Sequence, residues 1–196
     1  KALIYADKVD KSVKIDNSLY KSYYSFYGEL RKQGVEVIDL FPVFANAKKN
    51  GIEVYCKQDS HWNPEGIKLA SNFVVSKIKK ELPYQSYSTT KISESPLKRT
   101  IEITGDLWTN LGNNNLQKEK LNINTFNNAS VPDDKSPILI IGDSHCLIFH
   151  SGDMFARNSG LLGTLASGLG FKVDLIAVKG SGANSVRIDL YRKTKT

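Results

Sequence analysis

Short apolar runs alternate along the chain with longer amphipathic runs. The short runs are typical of strands, and they predict strands at residues 2–6, 35–40, 52–56, 99–104, 137–141 and 171–178. Between them, apolar residues recur at helical spacing, which predicts helices at residues 19–33, 41–49, 64–82, 161–169 and 185–192. Residues 137–141, with the sequence PILII, form the continuous apolar run expected of a strand buried on both faces.

The ends of two predicted helices carry recognisable signals. Asn63 precedes Pro64, and this pair is typical of an N-cap followed by the first helical position. Gly34 follows the first amphipathic run, where glycine commonly ends a helix. These signals place the start of one helix directly after residues 59–62.

The alternation of strands and helices predicts the fold class. It favours an α/β protein, a three-layer αβα sandwich with a mostly parallel central sheet. We expect one domain over residues 1–196, with a polar surface excursion at about 110–135, where asparagine and lysine predominate. Because the chain starts on a predicted core strand and ends on a charged helix, we also expect both ends to be truncated. In such sheets, sites form beyond the carboxyl ends of the strands.

Composition and charge narrow the function classes. A hydrophobic fraction of 40% excludes disorder throughout, and the absence of an apolar stretch of about 18 residues predicts no transmembrane segment. The net charge is +7, from 27 basic and 20 acidic residues. A solvated basic surface and a site for an anionic polymer, such as an acidic polysaccharide, both fit this charge. No nucleic-acid-binding signature accompanies it, so we predict no nucleic-acid partner.

Two motifs follow predicted strands and carry the candidate chemistry. Asp59-Ser60-His61-Trp62 comes directly after residues 52–56, and Gly142-Asp143-Ser144-His145 comes directly after residues 137–141. A serine hydroxyl needs a base to become a nucleophile, and that base needs a third group to orient it. Ser144, His61 and Asp59 supply these three roles, and we predict that they form a catalytic triad.

Each motif also has a structural interpretation. Gly-Asp-Ser occurs in many ordinary turns, and Asp-x-His-Trp fits a loop histidine beside a packed tryptophan. Both motifs stand where an α/β fold places its chemistry, which favours the catalytic interpretation. If a helix begins just after Ser144, its N–H groups can stabilise a developing oxyanion.

These motifs resemble one known family. Asp-Ser-His-Trp-Asn-Pro-Glu-Gly at residues 59–66, followed by a helix and a later Gly-Asp-Ser at 142–144, is similar to the SGNH-hydrolase-like domains of alginate and exopolysaccharide O-acetyltransferases. As in that group, Asp-x-His precedes the serine, whereas ordinary SGNH esterases have the reverse order. The resemblance extends to Gly105-Asp106-Leu107 and to residues 162–187.

The resemblance implies a function. Such domains transfer acetyl groups to hydroxyls of an extracytoplasmic polysaccharide through an acyl-serine, at the periplasm or cell surface. It implies a polysaccharide acceptor, a membrane-bound acyltransferase as acetyl donor, and neither a metal nor an organic cofactor. A carbohydrate acetylesterase of the same fold stays an alternative, because transfer and hydrolysis share one acyl-enzyme. A non-catalytic polysaccharide-binding module is a second alternative.

The oxyanion and substrate-binding residues are less well defined. The Gly-x-Asn-Asp block of ordinary SGNH enzymes is absent from the sequence, and Asn184 with the backbone of Gly180 is a candidate substitute. Trp62 either stacks on a sugar ring or packs beside the helix start. His145 stands where the related proteins often carry an aromatic residue, and it either lines the pocket or caps a helix.

Cysteine and histidine leave further alternatives open. Cys56 and Cys146 lie near the two motifs in sequence, so they form either a disulfide between the two loops or two buried thiols. A metal-dependent phosphoesterase is a rival class, because Asp-x-His and Gly-Asp resemble parts of such sites. The chain has 3 histidines, too few to complete the ligand set of a two-metal centre, and we predict no metal site.

Overall fold

The computed structural model describes residues 1–13, 15, 17–81, 83, 91–112, 115–180 and 182–194. They group into two compact units, Lys1–Ile52 and Glu53–Thr196, which are described one after the other. The expectation of one domain over the whole chain stays a prediction.

The first unit contains two α-helices. They are α1 (Asn17–Lys32) and α2 (Phe41–Lys49), and a short 3-10 turn at Ala6–Lys8 precedes them. Both helices were predicted from the apolar spacing, and Gly34 follows α1 with a φ of +77°, the left-handed conformation that glycine adopts without strain. The N–H groups of Gly34 and Val35 donate to carbonyls in the last turn of α1.

The strands predicted in this unit are wrong. At residues 2–5 the backbone turns, and the N–H groups of Ile4 and Tyr5 both donate to the carbonyl of Lys1. Residues 35–40 have no regular secondary structure, and Val35 is 46% exposed. An apolar run becomes a strand only where a neighbouring strand satisfies its backbone groups. Sequence alone does not reveal whether such a neighbour exists.

The second unit begins with the capped helix that the sequence predicts. Helix α3 spans Pro64–Glu81. The Asn63 side chain accepts a hydrogen bond from the Gly66 N–H at 2.9 Å, and its amide donates to the Glu53 carbonyl at 2.8 Å. This confirms Asn63 as the N-cap, and it ties the start of α3 to the segment before the first motif.

The strands of the second unit form two small sheets. Strands β1 (Leu97–Ile103) and β2 (Glu119–Thr125) pair antiparallel, with Leu97 opposite Thr125. Strands β3 (Leu139–Gly142) and β4 (Asp174–Ala177) pair in parallel, with Leu139 opposite Asp174. The α/β class is confirmed, but the described strands divide into one parallel and one antiparallel pair and do not form a large, mostly parallel sheet.

Two further predictions need correction in this unit. Residues 52–56 contain only an isolated bridge, between Tyr55 and Trp62. The segment predicted as a surface excursion contains β2, whose alternate residues Leu121 and Ile123 are buried in the core. The residues that alternate with them, Lys120, Asn122 and Asn124, are polar and exposed, so the average composition of the segment does not reveal the strand.

The remaining helices pack around these strands. They are α4 (Asp106–Leu111), α5 (Ser144–Leu147), α6 (Leu161–Leu169) and α7 (Gly182–Lys193). Helix α6 matches its predicted bounds, buries most of its residues and packs against α3. It ends at Gly170, which has a φ of +81°. Helix α7 packs against β3 and β4, and α5 follows β3 directly, so the nucleophile candidate lies at a strand end.

A search of the described helices for one long and apolar enough to cross a membrane finds none.

Candidate active site

The first motif lies on a tight turn that leads into α3. The Cys56 N–H donates to the His61 carbonyl at 3.1 Å, and the Asn63 N–H donates to the Val54 carbonyl at 3.1 Å. Together with the bridge between Tyr55 and Trp62, these bonds close a narrow loop. Asp59 and His61 therefore stand on one short, braced segment.

The carboxylate of Asp59 is buried, with 3% of the residue exposed. Its Oδ1 lies 2.6 Å from His61 Nδ1 and also accepts the backbone N–H of His61 at 2.9 Å. Its Oδ2 accepts the backbone N–H of Asp106 at 3.0 Å. Burial raises the pKa of the Asp59 carboxyl, but these hydrogen bonds outweigh burial and bring the pKa to about 2. Asp59 is therefore a carboxylate at neutral pH.

His61 connects this carboxylate to the serine. Its Nε2 lies 2.8 Å from Ser144 Oγ, and only 12% of its side chain is exposed. Because Nδ1 faces the ionised carboxylate, Nδ1 carries the proton and Nε2 accepts the hydroxyl hydrogen of Ser144. The structure thus brings together Asp59, His61 and Ser144, the three side chains that the sequence analysis placed in a triad.

Ser144 is the first residue of α5, on a turn that leaves its hydroxyl accessible to His61. Asp143 is the N-cap of α5, and its Oδ1 accepts the N–H of His145 at 2.9 Å. A Cβ at Gly142 would lie 2.3 Å from Cys146 Sγ, so a larger residue there would have to displace the Cys146 thiol. None of the hydrogen bonds among the described residues uses the backbone N–H of Ser144, which leaves this donor for an oxyanion.

Comparison with known proteins identifies the family of the chain. Residues 1–195 match the family model of the SGNH hydrolase-like domain of the acetyltransferase AlgX. The chain belongs to this family.

Solved structures show the same fold. The O-acetyltransferase domain of Pseudomonas putida AlgJ superposes with a TM-score of 0.71 at 20% identity, over 97% of this chain and 64% of that one. Pseudomonas aeruginosa AlgX superposes with a TM-score of 0.62 at 20% identity, over 92% of this chain and 43% of that one. The chain thus spans less than two thirds of either relative. Among curated proteins, no sequence matches the chain.

Within this SGNH-like family fold, Gly105 and Asp106 support the loop that carries Asp59 and His61. A Cβ at Gly105 would lie 2.3 Å from the Gln58 carbonyl oxygen and 2.4 Å from the Cβ of Asp59, so only glycine allows this approach. The Asp106 carboxylate accepts the N–H of Ser60 at 2.7 Å as well as its hydroxyl hydrogen. The Gly-Asp-Leu segment that resembles the family therefore packs against Asp59 and bonds its carboxylate.

Glu119, at the start of β2, is a support that the sequence analysis missed. Its carboxylate accepts the backbone N–H groups of Lys57 at 2.8 Å and Gln58 at 2.9 Å. Its separation in sequence from these donors is about 60 residues, and no local pattern relates them. To predict this contact, one would have to know that β2 pairs with β1 and begins beside the loop that carries Asp59.

Trp62 and His145 connect the two motif loops. The Trp62 indole N–H donates to the His145 carbonyl at 2.9 Å, and the two rings meet edge to face with centroids 5.6 Å apart. Trp62 is thus a bridge between the loops, and its predicted sugar stacking stays a prediction. The predicted roles of Asn184 and Gly180 also stay predictions. Asn184 is exposed on the first turn of α7, and Gly180 has a φ of +69° before that helix.

A groove of about 380 Å³ runs between the nucleophile turn and α7. It is mostly apolar and is lined by Ile141, Gly142, Asp143, Ala183, Val186, Arg187 and Leu190. Its position beside the turn that carries Ser144 makes it a candidate channel for a substrate.

The cysteines are thiols and do not form the disulfide that the sequence left open. Cys56 is fully buried, and burial raises the pKa of the Cys146 thiol to about 11. A thiol with this pKa is a poor nucleophile at neutral pH, which favours Ser144 in that role.

Donor atoms of Asp59, His61 and Asp106 lie within 4.8 Å of one another, a spacing that a metal ion could bridge. However, the His61 Nδ1 already bonds Asp59 and its Nε2 bonds Ser144. A metal here would have to displace the hydrogen-bond chain, so these residues do not fit the phosphoesterase alternative.

The low pKa of Asp59 predicts how stability depends on pH. Because the folded-state pKa, about 2, lies below the ordinary value of 3.8, the ionised carboxylate stabilises the fold above about pH 4, and this contribution disappears as pH falls towards 2. We expect the difference in unfolding free energy between wild type and Asp59→Asn to shrink by roughly 2 kcal/mol over that range. Urea denaturation at a series of pH values measures it, and a constant difference would contradict the assignment.

The close approach at Gly105 gives a second prediction. Gly105→Ala should lower the unfolding free energy by about 1–3 kcal/mol, because the new methyl group has to displace Gln58 and Asp59. Gly28→Ala, on α1, is the matched control, since nothing lies within 4 Å of its Cβ and alanine favours a helix by about 1 kcal/mol. Thermal or urea unfolding compares the two, and equal effects would show that Gly105 is not constrained.

Proposed function

We propose that the chain is an O-acetyltransferase domain that moves an acetyl group to hydroxyls of a polysaccharide through an acetyl-Ser144 intermediate. The observation that carries the proposal is the continuous hydrogen-bond chain from Asp59 through His61 to Ser144, with distances of 2.6 and 2.8 Å. Membership of the AlgX acetyltransferase family supports the same reaction class.

The first half-reaction forms the acetyl-enzyme. Ser144 Oγ attacks the carbonyl carbon of the acetyl donor while its proton passes to His61 Nε2, and the carbonyl electrons move to oxygen. Asp59 stabilises the imidazolium, to which it is already hydrogen bonded through Nδ1. When the tetrahedral intermediate collapses, the donor's leaving group departs with the proton from His61.

The second half-reaction uses the same groups in reverse. A sugar hydroxyl attacks the ester carbon, His61 Nε2 removes its proton, and Ser144 Oγ recovers a proton as the leaving group. The Ser144 N–H, in the first turn of α5, is our candidate donor to the oxyanion in both halves. Asn184 and the backbone of Gly180 stay candidates for the other oxyanion donors. Neither a metal nor an organic cofactor enters this sequence of steps.

The charge of the surface favours an acidic polysaccharide as the acceptor. A groove of about 500 Å³ lies between α3, β1 and β2, and Pro64 at its edge follows His61 by only three residues, roughly 10 Å of chain at most. Three cationic side chains, Lys68, Lys98 and Arg99, line this groove against one acidic side chain, Glu65. An extended anionic chain bound here would remain close to the nucleophile.

Two features of the full reaction are part of the proposal. The acetyl donor is a membrane-bound acyltransferase, and the reaction takes place outside the cytoplasm, in the periplasm or at the cell surface. Both follow from the family resemblance. An acetylesterase uses the same acyl-enzyme and differs only in the final nucleophile, so the acceptor assay has to separate the two activities.

Acetyl transfer can be measured with p-nitrophenyl acetate as donor and alginate oligosaccharides as acceptor, with NMR detection of sugar O-acetyl groups. Ser144→Ala and His61→Ala should each reduce transfer about 10³-fold or more, because the nucleophile or its base is lost. Ser151→Ala, an exposed serine outside the site, is the matched control and should retain wild-type activity.

Full transfer by Ser144→Ala would overturn the triad. Ester cleavage without any sugar acetylation by wild type would instead identify an esterase. Binding of the oligosaccharide with neither reaction would favour the polysaccharide-binding module.

A further inference from the structure

The sequence Asp-Ser-His occurs at both motif loops, at residues 59–61 and 143–145. In each copy the aspartate Oδ1 accepts the backbone N–H of the histidine two positions later, at 2.9 Å. The two copies therefore share a local backbone turn, but their side chains have different environments. The different environment of the second copy suggests that His145 has a role other than that of His61.

The second pair is not a duplicate of the first. Asp59 lies 2.6 Å from His61 Nδ1 with 5% of its side chain exposed, whereas Asp143 lies 3.5 Å from His145 Nδ1 with 58% exposed. His145 itself has 41% of its side chain exposed, against 12% for His61. The solvated Asp143 orients His145 weakly, and His145 exposes more of its side chain to a ligand than His61 does.

His145 also forms a wall of the site. Its ring packs against the His61 ring with centroids 4.7 Å apart, and its carbonyl accepts the Trp62 indole N–H at 2.9 Å. His145 directly follows Ser144 on α5 and packs against His61, which bonds Ser144 Oγ, so its ring lies next to the pair that the acceptor has to reach. The His145 ring therefore contacts the His61 and Trp62 rings, while part of its surface is exposed.

The charge state of His145 suits contact with a hydroxyl. Burial, and then the neighbouring His61, lower the pKa of the His145 imidazole, which favours its neutral form at neutral pH. Asp143 Oδ1 lies 3.5 Å from Nδ1, so the tautomer with the proton on Nδ1 directs it towards the carboxylate and leaves the lone pair on Nε2. Among the residues that the structure describes, none forms a hydrogen bond with His145 Nε2.

We propose that His145 contacts the acyl acceptor, accepting a hydrogen bond through Nε2 from a sugar hydroxyl next to the attacking one, which holds the attacking hydroxyl beside the Ser144 ester. The attack itself uses His61 as the base, as described above, so His145 moves no proton and positions the acceptor. A polyol offers several hydroxyls and forms ring contacts that water lacks. His145 therefore favours transfer over hydrolysis. This inference rests on the proposed function.

The role of His145 is tested by how the acetyl-enzyme divides between transfer to a sugar and hydrolysis by water. With p-nitrophenyl acetate as donor, p-nitrophenol release reports acylation, and the ratio of acetylated alginate oligosaccharide to acetate reports the competition between sugar and water. His145→Phe keeps the ring packing but removes Nε2, and we expect it to lower that ratio at least tenfold while p-nitrophenol release changes less than about threefold. His145→Gln, which retains a hydrogen-bond acceptor, should recover part of the ratio.

His150→Phe is the matched control, because it removes another histidine of the same segment outside the site, and it should leave the ratio unchanged. An unchanged ratio in His145→Phe would overturn the proposal, as would an equal loss in acylation and transfer. Acylation of wild type without any sugar product at a high concentration of alginate oligosaccharide would also overturn it. Absence of acylation in wild type would contradict the proposed function itself, which keeps the two failures distinguishable.

Discussion

The buried carboxylate of Asp59 is the group on which the geometry of the site depends. It accepts three N–H groups, from the His61 ring, the His61 backbone and the Asp106 backbone. A buried charge is costly unless it is paired and hydrogen bonded, so the loop has to keep these donors in place. The same bonds orient the imidazole, which in turn fixes where the Ser144 hydroxyl must lie. One desolvated charge therefore determines the positions of groups on two separate loops.

The support of this loop comes from distant parts of the chain. Gly105 allows the backbone before α4 to touch Asp59, and Glu119 at the start of β2 holds the backbone N–H groups of Lys57 and Gln58. From the other side, the Trp62 indole bonds the carbonyl of His145. The antiparallel pair β1 and β2 thus contributes to the site although it carries none of the three reacting side chains.

The sequence predicts the local structure of the two motif loops better than it predicts the strands, and the reason is physical. Residues 59–66 and 142–144 combine turn, cap and strand-end signals over a few positions, and local chemistry is sufficient to interpret them. Residues 2–6 and 35–40 carry only an apolar pattern, which becomes a strand when a distant partner supplies hydrogen bonds. Glu119 escaped notice for the same reason, because its partners lie in a different part of the chain. Asp-Ser-His occurs twice in the chain, and only the copy with a buried aspartate, Asp59, holds its histidine ring closely. The sequence of the tripeptide does not reveal this difference in burial.

The most direct test of the account is whether Ser144 becomes acetylated. Wild type and Ser144→Ala would be exposed briefly to an activated acetyl ester, quenched in acid, and compared by intact-mass spectrometry and peptide mapping. The account predicts one acetyl adduct on wild type, located at Ser144, and none on the variant. An adduct of equal size on both proteins, or one on wild type located at another residue, would contradict it.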